Sequence, residues 1–334
     1  MPTRCIVIGA SAGGVAPLLE VASALPSGLD APVLVAMHVR PSEPTLLPEI
    51  LTRAGALPAV HPRDGERANG GVIYVASPDH HLLIDGEHMA VKRGPKENGF
   101  RPSIDALFRS AAYTFGPQAI GVVLSGSLND GTSGLWSIKR LGGIAIIQDP
   151  AQARYESMPR SALENVDADY KVPSSEIGSL LARLIDDPAE RTSAAGPELE
   201  DDLKRMAIEM HLASGTNLPQ EAVFRLGALS PFTCPECHGT LVRILEGKAS
   251  RFRCHTGHAF TQDALLEQLT EKVGNTLWEA TRGLQEAELL LEHMGRHLAD
   301  SGDAVRAQQF LAKARRVAKQ ASHLQADAIG DSVK

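Results

Sequence analysis

The stretch CIVIGASAGGVAPLLEVASALP, residues 5–26, decides the fold class of this chain. An apolar run ends there in a turn of small residues around Ser11, and a helix-like segment follows. Short apolar runs of the same kind recur at APVLVAMHV (31–39), VIYVAS (72–77), QAIGVVLS (118–125) and GIAIIQD (143–149). Such runs are typical of strands that are buried on both faces. Because helix-like segments at 103–116 and 134–143 separate several of them, the sequence predicts a doubly wound, mostly parallel, Rossmann-like α/β sheet.

Changes in composition predict four segments along the chain. We expect the α/β domain over residues 1–188, a linker and a helix over 189–228, a compact Cys/His module over 229–262, and a helical tail over 263–334. The interval 59–93 indicates a strand and a hairpin inserted into the α/β domain. The tail has an amphipathic helical period, so we expect an antiparallel helical hairpin, either as a stabilising appendage or as a docking surface.

Composition excludes several classes of protein. The 334 residues are 43% hydrophobic and 22% charged, with a formal net charge of −7, which argues against a general nucleic-acid binder. We find no stretch of the roughly 20 apolar residues that a membrane-spanning helix needs, and no signal-peptide pattern. Three of the four cysteines cluster late in the chain, so a disulfide framework is not expected. These features predict a cytoplasmic protein without direct membrane insertion.

The turn around Ser11 has two competing functional interpretations. A dinucleotide fold needs the pattern G-x-G-x-x-G, but residues 9–14 read GASAGG, with serine in the position of the second glycine. The acidic residue expected after the second strand is also missing, since residues 38–40 read His-Val-Arg. Both observations argue against a nicotinamide cofactor, and we predict no cofactor-binding residues there.

The other interpretation is a nucleophile elbow, in which a sharp strand-to-helix turn exposes the Ser11 hydroxyl. A hydroxyl needs a base and a group that orients the base. His38 and Asp130 each follow a predicted strand, so both project from the same sheet edge as Ser11. The alternatives are structural: Ser11 as a helix N-cap, His38 as a core histidine, and Asp130 as part of a turn with Gly131.

Five blocks resemble the CheB-type protein-glutamate methylesterases. They are GASAGG (9–14), the strand end at His38, RPSIDALFRSAA (101–112), SGSLNDGTSG (125–134) and QDPAQARYESMPRSAL (148–163). The resemblance implies a chemotaxis signal-transduction enzyme, with Ser11 as nucleophile, His38 as base and Asp130 as orienting carboxylate. It implies hydrolysis of glutamate methyl esters, together with glutamine deamidation, on the methylated helical region of a chemoreceptor-like protein.

Departures from the family pattern keep a second hypothesis open. Ala12 stands where the family usually has threonine, and residues 127–128 read Ser-Leu where a methionine-containing turn is common. The alternative is therefore a catalytically weak or inactive methylesterase-fold scaffold in a signalling complex. Many relatives carry an N-terminal receiver domain, whereas the resemblance here begins at about residue 4. We therefore expect control by a separate response-regulator protein, control by the C-terminal region, or no such control. Asn129 and Arg101 are candidate supporting contacts.

A third hypothesis is metal-dependent hydrolysis by His80, His81 and Asp130, although these residues lack a compact ligand spacing. It needs no serine nucleophile, whereas the esterase hypothesis needs no metal for catalysis.

The segment FTCPECHGTLVRILEGKASRFRCHTGHAF, residues 232–260, has the spacing of a zinc ribbon. The predicted ligands are Cys234, Cys237, Cys254 and His258. Three thiolates and one imidazole would close a tetrahedral shell around Zn²⁺, so we predict a structural site. His238 and His255 are rivals for the fourth ligand, and a reduced cysteine cluster without metal is the alternative.

Overall fold

The computed structural model describes residues 4–186, 197–216 and 218–331. The strands of the first segment are β1 (Cys5–Ala10), β2 (Val33–Met37), β3 (Ala59–Val60), β4 (Ile73–Val75), β5 (His81–Asp85), β6 (His88–Lys92), β7 (Ala119–Val123), β8 (Ile144–Gln148) and β9 (Tyr170–Val172). Its helices are α1 (Val15–Ser23), α2 (Leu47–Ala54), α3 (Ile104–Phe115), α4 (Thr132–Arg140), α5 (Ser157–Asn165) and α6 (Ser174–Asp186).

Over residues 4–186, seven strands form one parallel sheet in the order β3-β4-β2-β1-β7-β8-β9. The chain proceeds from β1 toward one edge and then returns to continue from β7 toward the other edge. Parallel sheets of this kind bind ligands outside the carboxyl ends of the strands, where the strand order reverses. The predicted doubly wound fold is confirmed, and its switch point lies between β1 and β7.

Strand β1 shows why the sheet is buried on both faces. Ile6 and Ile8 pack into the layer formed with α1, α2 and α6, whereas Cys5 and Val7 pack into the opposite layer with α3, α4 and α5. Alternate side chains of a strand point to opposite faces, so a continuously apolar run supplies two cores at once. The hairpin β5–β6 turns at Gly86 (φ 59°) and covers the second layer, as predicted for the interval 59–93.

The later segments hold helices and a small antiparallel sheet. The elements are α7 (Pro197–Ala213), α8 (Gln220–Phe224), β10 (Ala228–Thr233), β11 (Thr240–Glu246), β12 (Ala249–Cys254), β13 (Ala259–Thr261), α9 (Gln262–Asp300) and α10 (Ala304–Asp331). Over residues 218–265, four strands form a sheet in the order β10-β11-β12-β13. The predicted linker begins at residue 189. Residues 187–196 lie outside the described part of the chain, so the beginning of the linker lies there as well.

The chain divides into two compact units, with the boundary after Leu265. The first unit therefore contains both the α/β sheet and the Cys/His module with β10–β13. In the second unit α9 and α10 are joined by a short turn with Gly302 in the left-handed region (φ 85°), and Leu311 packs on Gly295. No helix of the described segments has both the length and the apolar character needed to cross a bilayer.

Candidate active site

Ser11 lies in the turn between β1 and α1, at the switch point of the sheet. Its backbone N–H donates to the Ser125 carbonyl (3.0 Å), and the Gly14 N–H donates to the Ser11 carbonyl (2.9 Å). Gly13 has φ 68°, and a Cβ there would lie 2.8 Å from the Tyr155 ring, so the turn requires a small, left-handed residue. Gly14 is the N-cap of α1 without a side-chain cap, so Ser11 is not the helix cap that one interpretation proposed.

The imidazole of His38 lies against the Ser11 hydroxyl. His38 follows β2, and its Nδ1 is 3.0 Å from Ser11 Oγ while its Nε2 is 2.8 Å from Asp130 Oδ2. A carboxylate accepts only, so Nε2 carries the proton and Nδ1 is free to accept from Ser11. The side chain is 6% exposed. The ring is therefore held in the tautomer that can take a proton from the serine.

Asp130 is held by the N-terminus of α3. The Ile104 N–H donates to its Oδ2 (2.7 Å), and the Ser103 hydroxyl donates to its Oδ1 (3.1 Å). Gly131, the N-cap of α4, adopts the left-handed conformation (φ 96°) that turns the chain just after Asp130. The positive end of the helix dipole favours a negative charge at this position.

Two buried carboxyls beside each other titrate in opposite directions. Burial alone would raise the pKa of Asp130, but hydrogen bonds from His38, the Ile104 amide and Asn98 outweigh it and lower that pKa below its ordinary value of 3.8. Burial and the nearby Asp130 charge raise the pKa of Asp105 well above 3.8. The charge of the pair therefore resides on the carboxyl that faces His38.

Two residues that sequence reasoning missed support this arrangement. The Phe100 ring stacks on the imidazole of His38, with ring centroids 3.7 Å apart and planes 7° apart. The Asn98 side chain donates from Nδ2 to Asp130 Oδ1 (2.9 Å) and to Asp105 Oδ2 (3.1 Å). The available signal was the dipeptide Asn98-Gly99, which is typical of a tight hairpin turn.

The predicted supporting residues make other contacts. Asn129 accepts from the Thr261 hydroxyl (2.6 Å) and donates to Asp263 (2.8 Å). It therefore contacts the end of the Cys/His module, which we also call the C-terminal module, and the start of α9. Arg101 forms an ion pair with Asp79 (2.6 Å). Neither side chain has a hydrogen bond to His38 or Asp130 among the described residues.

The histidines of the metal-dependent hypothesis do not converge on Asp130. Buried His81 has both ring nitrogens engaged, Nε2 with the Pro95 carbonyl (2.9 Å) and Nδ1 with the Ser103 N–H (3.2 Å). His80 Nδ1 bonds the carbonyl of Pro78 (2.9 Å). Because the His81 nitrogens already have partners, this residue has no free lone pair for a metal.

An open groove of about 400 Å³ runs alongside the loop that carries Asp130. One wall comes from α4 and α5, and the other from the C-terminal module. Its lining includes Leu128, Asn129, Trp136, Arg160, Lys248 and Asp263. The groove borders the loop that carries Asp130, but Ser11 and His38 lie outside its lining.

The predicted zinc ligands lie together at one end of the module. They are Cys234, Cys237, Cys254 and His258, and their ligand atoms all lie within 4.8 Å of one another. His238 and His255 are outside this cluster. The thiols are free, and a Cβ on Gly239 would touch the His255 ring, so that ring packs on the chain beside the cluster.

The spacing of these atoms suits a tetrahedral zinc shell. The Cys237 and Cys254 sulfurs are 3.6 Å apart, and His258 Nδ1 is 3.6 Å from the Cys254 sulfur. With Zn–S bonds of about 2.3 Å, the vertices of a tetrahedron lie about 3.8 Å apart, slightly less for a sulfur and a nitrogen. The cluster is therefore compatible with a zinc site.

Comparison with known proteins identifies the family to which the first domain is similar. The family described as CheB methylesterase matches residues 6–181. A protein-glutamate methylesterase/protein-glutamine glutaminase of Leptospira interrogans is 35% identical over 185 residues, which cover 55% of this chain and 96% of that protein. The protein-glutamate methylesterase FrzG of Myxococcus xanthus is 34% identical over 186 residues, 55% of this chain and 56% of FrzG.

A solved structure agrees. The crystal structure of the Thermotoga maritima CheB methylesterase catalytic domain superimposes with a TM-score of 0.53 at 31% identity, over 54% of this chain and 98% of that domain. The residues that match the family make up more than half of the chain and end before the Cys/His module. The chain therefore belongs to the CheB methylesterase family, whose named relatives are protein-glutamate methylesterases and thus carboxylic ester hydrolases.

Proposed function

We propose that this protein hydrolyses γ-methyl esters of glutamate side chains, and deamidates glutamines, by means of a Ser11-His38-Asp130 triad. The observation that carries the proposal is the hydrogen-bond chain from Ser11 Oγ to His38 Nδ1 (3.0 Å) and from His38 Nε2 to Asp130 (2.8 Å). Its position at the switch point of the sheet and the names of the relatives support the same activity.

The first half of the reaction forms an acyl-enzyme. His38 Nδ1 accepts the proton of the Ser11 hydroxyl as the oxygen attacks the ester carbon. When the tetrahedral intermediate collapses, the C–O bond to the methoxy group breaks and the imidazolium returns that proton to the departing methanol. Asp130 holds the imidazole and stabilises its cation. A glutamine amide would follow the same course and release ammonia.

The second half uses water. His38 accepts a proton from the water that attacks the acyl-enzyme, and Ser11 regains its proton as the glutamate carboxylate leaves. Within the described residues, the backbone N–H groups of Ala12 and Gly13 have no protein acceptor, and they lie in the turn just before Gly14, the N-cap of α1. These amides are the donors we assign to the developing oxyanion. The donor role needs no side chain, so Ala12 in place of threonine is compatible with it.

The imidazole is turned end for end relative to the chymotrypsin triad, in which Nε2 faces the serine and Nδ1 the aspartate. Here Nδ1 faces Ser11 and Nε2 faces Asp130. The same proton transfers remain available, because each nitrogen still has one partner.

For the substrate, we infer the methylated helical region of a chemoreceptor-like protein, reached in the cytoplasm. Free thiols in the Cys/His cluster suit a reducing compartment. A separate response-regulator protein is the inferred source of control.

Methanol release from a methyl-labelled receptor tests the activity. Wild-type protein should release methanol, Ser11→Ala should reduce the release by about 10³-fold or more, and Ser23→Ala should keep it. Ser23 is a matched control because its hydroxyl bonds only a helix carbonyl on the surface. Release that persists in Ser11→Ala would reject the proposed nucleophile.

A serine-directed phosphonate probe separates the enzyme from the scaffold alternative. Labelling of Ser11 that depends on His38 indicates an activated nucleophile. A folded wild-type protein that neither reacts with the probe nor releases methanol would favour a scaffold.

We further propose that Cys234, Cys237, Cys254 and His258 hold one structural zinc ion per chain. Bound zinc would join the loop between β10 and β11, which carries two of the cysteines, to the end of β12. It would also stabilise the folded module. Elemental analysis of protein prepared without chelators should give one zinc per chain, and Cys254→Ser should lose it. Protein without zinc under reducing conditions would contradict this assignment.

A further inference from the structure

We propose that residues 97–100, Glu-Asn-Gly-Phe, form a turn through which the C-terminal module positions the catalytic Asp130 and His38. We call these residues the 97–100 turn. The inference rests on the proposed esterase function, and it assigns to the module a direct part in that activity. Asn98 is its central positioning residue.

The turn is a tight two-residue hairpin. The Glu97 N–H donates to the Phe100 carbonyl (3.2 Å), and the Phe100 N–H donates to the Glu97 carbonyl (2.9 Å). Asn98 and Gly99 both have positive φ, 53° and 81°, which defines a type I′ geometry. Asn and Gly are the residues that adopt these angles at least cost. The turn therefore fixes the direction of the three side chains that it carries.

The module holds one side of the turn through β13. The Asn98 N–H donates to the Ala259 carbonyl (2.7 Å), and Asn98 Oδ1 accepts from the Thr261 N–H (2.7 Å). Glu97 is 1% exposed and forms an ion pair with the buried Arg253 of β12 (2.6 Å). The turn thus bonds to β13 on the side of that strand that has no neighbouring strand in the small antiparallel sheet.

The triad holds the other side. Asn98 Nδ2 donates to Asp130 Oδ1, the oxygen not used by His38, and Phe100 covers one face of the His38 ring. A single carboxamide therefore links the Thr261 amide to the catalytic carboxylate. The amide can satisfy both only in one orientation, because its oxygen accepts and its nitrogen donates.

The predicted metal site lies next to this link in the chain. His258 is directly followed by β13, and the Cys254 N–H donates to the His258 carbonyl (3.0 Å). A Cβ on Gly257 would lie 2.9 Å from the Pro95 ring, close to where the 97–100 turn begins. A change in the geometry of the cluster therefore reaches Asn98 through two or three residues of extended backbone.

Two substitutions of Asn98 distinguish positioning from simple docking. Asn98→Asp keeps the shape and the acceptor for the Thr261 N–H, but it replaces the donor to Asp130 by a second carboxylate. Asn98→Gly removes the side chain while keeping the left-handed backbone. The matched control, Asn69→Gly, deletes an exposed carboxamide elsewhere in the domain.

The measurements use the full chain with its zinc. They are kcat and KM for methanol release, the rate of phosphonate labelling of Ser11, and hydrogen exchange of the peptide that contains β13. We expect kcat and labelling to fall about tenfold in Asn98→Gly and about 100-fold in Asn98→Asp, with KM changed less than threefold. Exchange of the β13 peptide should stay slow in Asn98→Asp, and Asn69→Gly should match wild type within twofold.

Each outcome has a defined meaning. Wild-type kcat and labelling in Asn98→Asp would overturn the positioning role. Loss of activity together with fast exchange throughout β13 in Asn98→Asp would assign the loss to undocking and would also overturn it. A wild-type protein that is not labelled at Ser11 would instead reject the proposed function itself.

Removal of zinc tests the link to the cluster. Chelation should speed hydrogen exchange of the β13 peptide and slow Ser11 labelling about tenfold, and added zinc should reverse both. Faster exchange with unchanged labelling would show that the module moves without affecting the triad, and it would overturn the coupling.

Discussion

The imidazole of His38 has a partner on each nitrogen and an aromatic ring on one face. Ser11 and Asp130 fix its ends, and the nearly parallel Phe100 ring lies 3.7 Å away. During the proposed reaction this imidazole becomes a cation. An aromatic face next to a cation contributes about 0.5–2 kcal/mol, more when water is excluded. Phe100 therefore favours the charged form as well as the position of the ring.

Replacement of Phe100 tests this contribution. Phe100→Leu keeps an apolar side chain but removes the ring quadrupole, so kcat for methanol release should fall by about three- to thirtyfold with little change in KM. Phe100→Tyr is the control and should keep most of the activity. Equal kcat values for the leucine and tyrosine variants would mean that the ring only fills space.

Asp130→Asn tests the orientation of His38. The amide keeps the size of the carboxyl but presents mixed donors and acceptors to groups that all donate to Asp130, namely His38, the Ile104 N–H and the Ser103 hydroxyl. We expect kcat to fall by about 10³- to 10⁴-fold while the protein stays folded. Steady-state kinetics with circular dichroism measures both, and a loss below tenfold would remove Asp130 from the triad.

At the residue scale, the convergence of Ser11, His38 and Asp130 could be predicted because each follows a strand of one parallel sheet. Asn98 and Phe100 could not, because they come from a turn after the hairpin β5–β6 and carry no catalytic residue type. Their role depends on two things that the sequence does not show, the path of that turn and the strand β13 that joins it.

At the scale of elements, α3, α7 and β12 meet through buried charges. Arg109 of α3 and Arg253 of β12 each form ion pairs with both Glu97 and Glu209, and Glu209 lies on α7. All four side chains are at most 4% exposed. A buried network of this kind is costly to leave unpaired, so it fixes how these elements dock.

Arg253→Met should destabilise the first unit by about 3–5 kcal/mol, because Glu97 and Glu209 keep Arg109 but the buried network loses one of the positive charges that balance them. Lys204→Met is the matched control, since Lys204 pairs with Asp201 on the surface, where such a pair contributes at most about 1 kcal/mol. Denaturant unfolding measures both changes in the free energy of unfolding. Similar values for the two variants would show that the network is not a stabilising contact.

The buried strands were the elements that the sequence predicted best, because a short, continuously apolar run is typical of a strand that is buried on both faces. The linker and helix predicted over residues 189–228 did not include an interruption of the helix. There α7 ends at Ala213 and Gly215 turns the chain in the left-handed region (φ 78°). The turn lies against Gly94, where a Cβ would be 2.0 Å from the Ala213 carbonyl oxygen. Such a close approach between distant segments has no local sequence signal.

At the scale of the whole molecule, the α/β domain and the Cys/His module form one compact unit, although composition suggested separate segments. One reason why the sequence could not predict this union is that several of the side chains that make it are charged, Glu97 and Arg253 among them. Arginine and glutamate are usually found on surfaces, and nothing in their spacing marks the ones that become buried. The family match ends at residue 181, so the Cys/His module lies outside the matched residues.

This union should be sensitive to acid. Burial would raise the pKa of Glu209, but Arg109, Arg251 and Arg253 outweigh it and lower that pKa from an ordinary 4.5 to about 2, and the same arginines lower the pKa of Glu97 further. Below about pH 5 the unfolded chain therefore binds more protons than the folded one, so stability is full above that pH and falls as the pH approaches 2. For Glu209 alone the loss is on the order of 3 kcal/mol. Denaturant unfolding between pH 7 and pH 3 measures this slope.

Glu209→Gln should be less stable at pH 7 and should lose less stability on acidification, because its amide does not titrate. A variant with the wild-type slope would show that the acid sensitivity arises elsewhere in the chain.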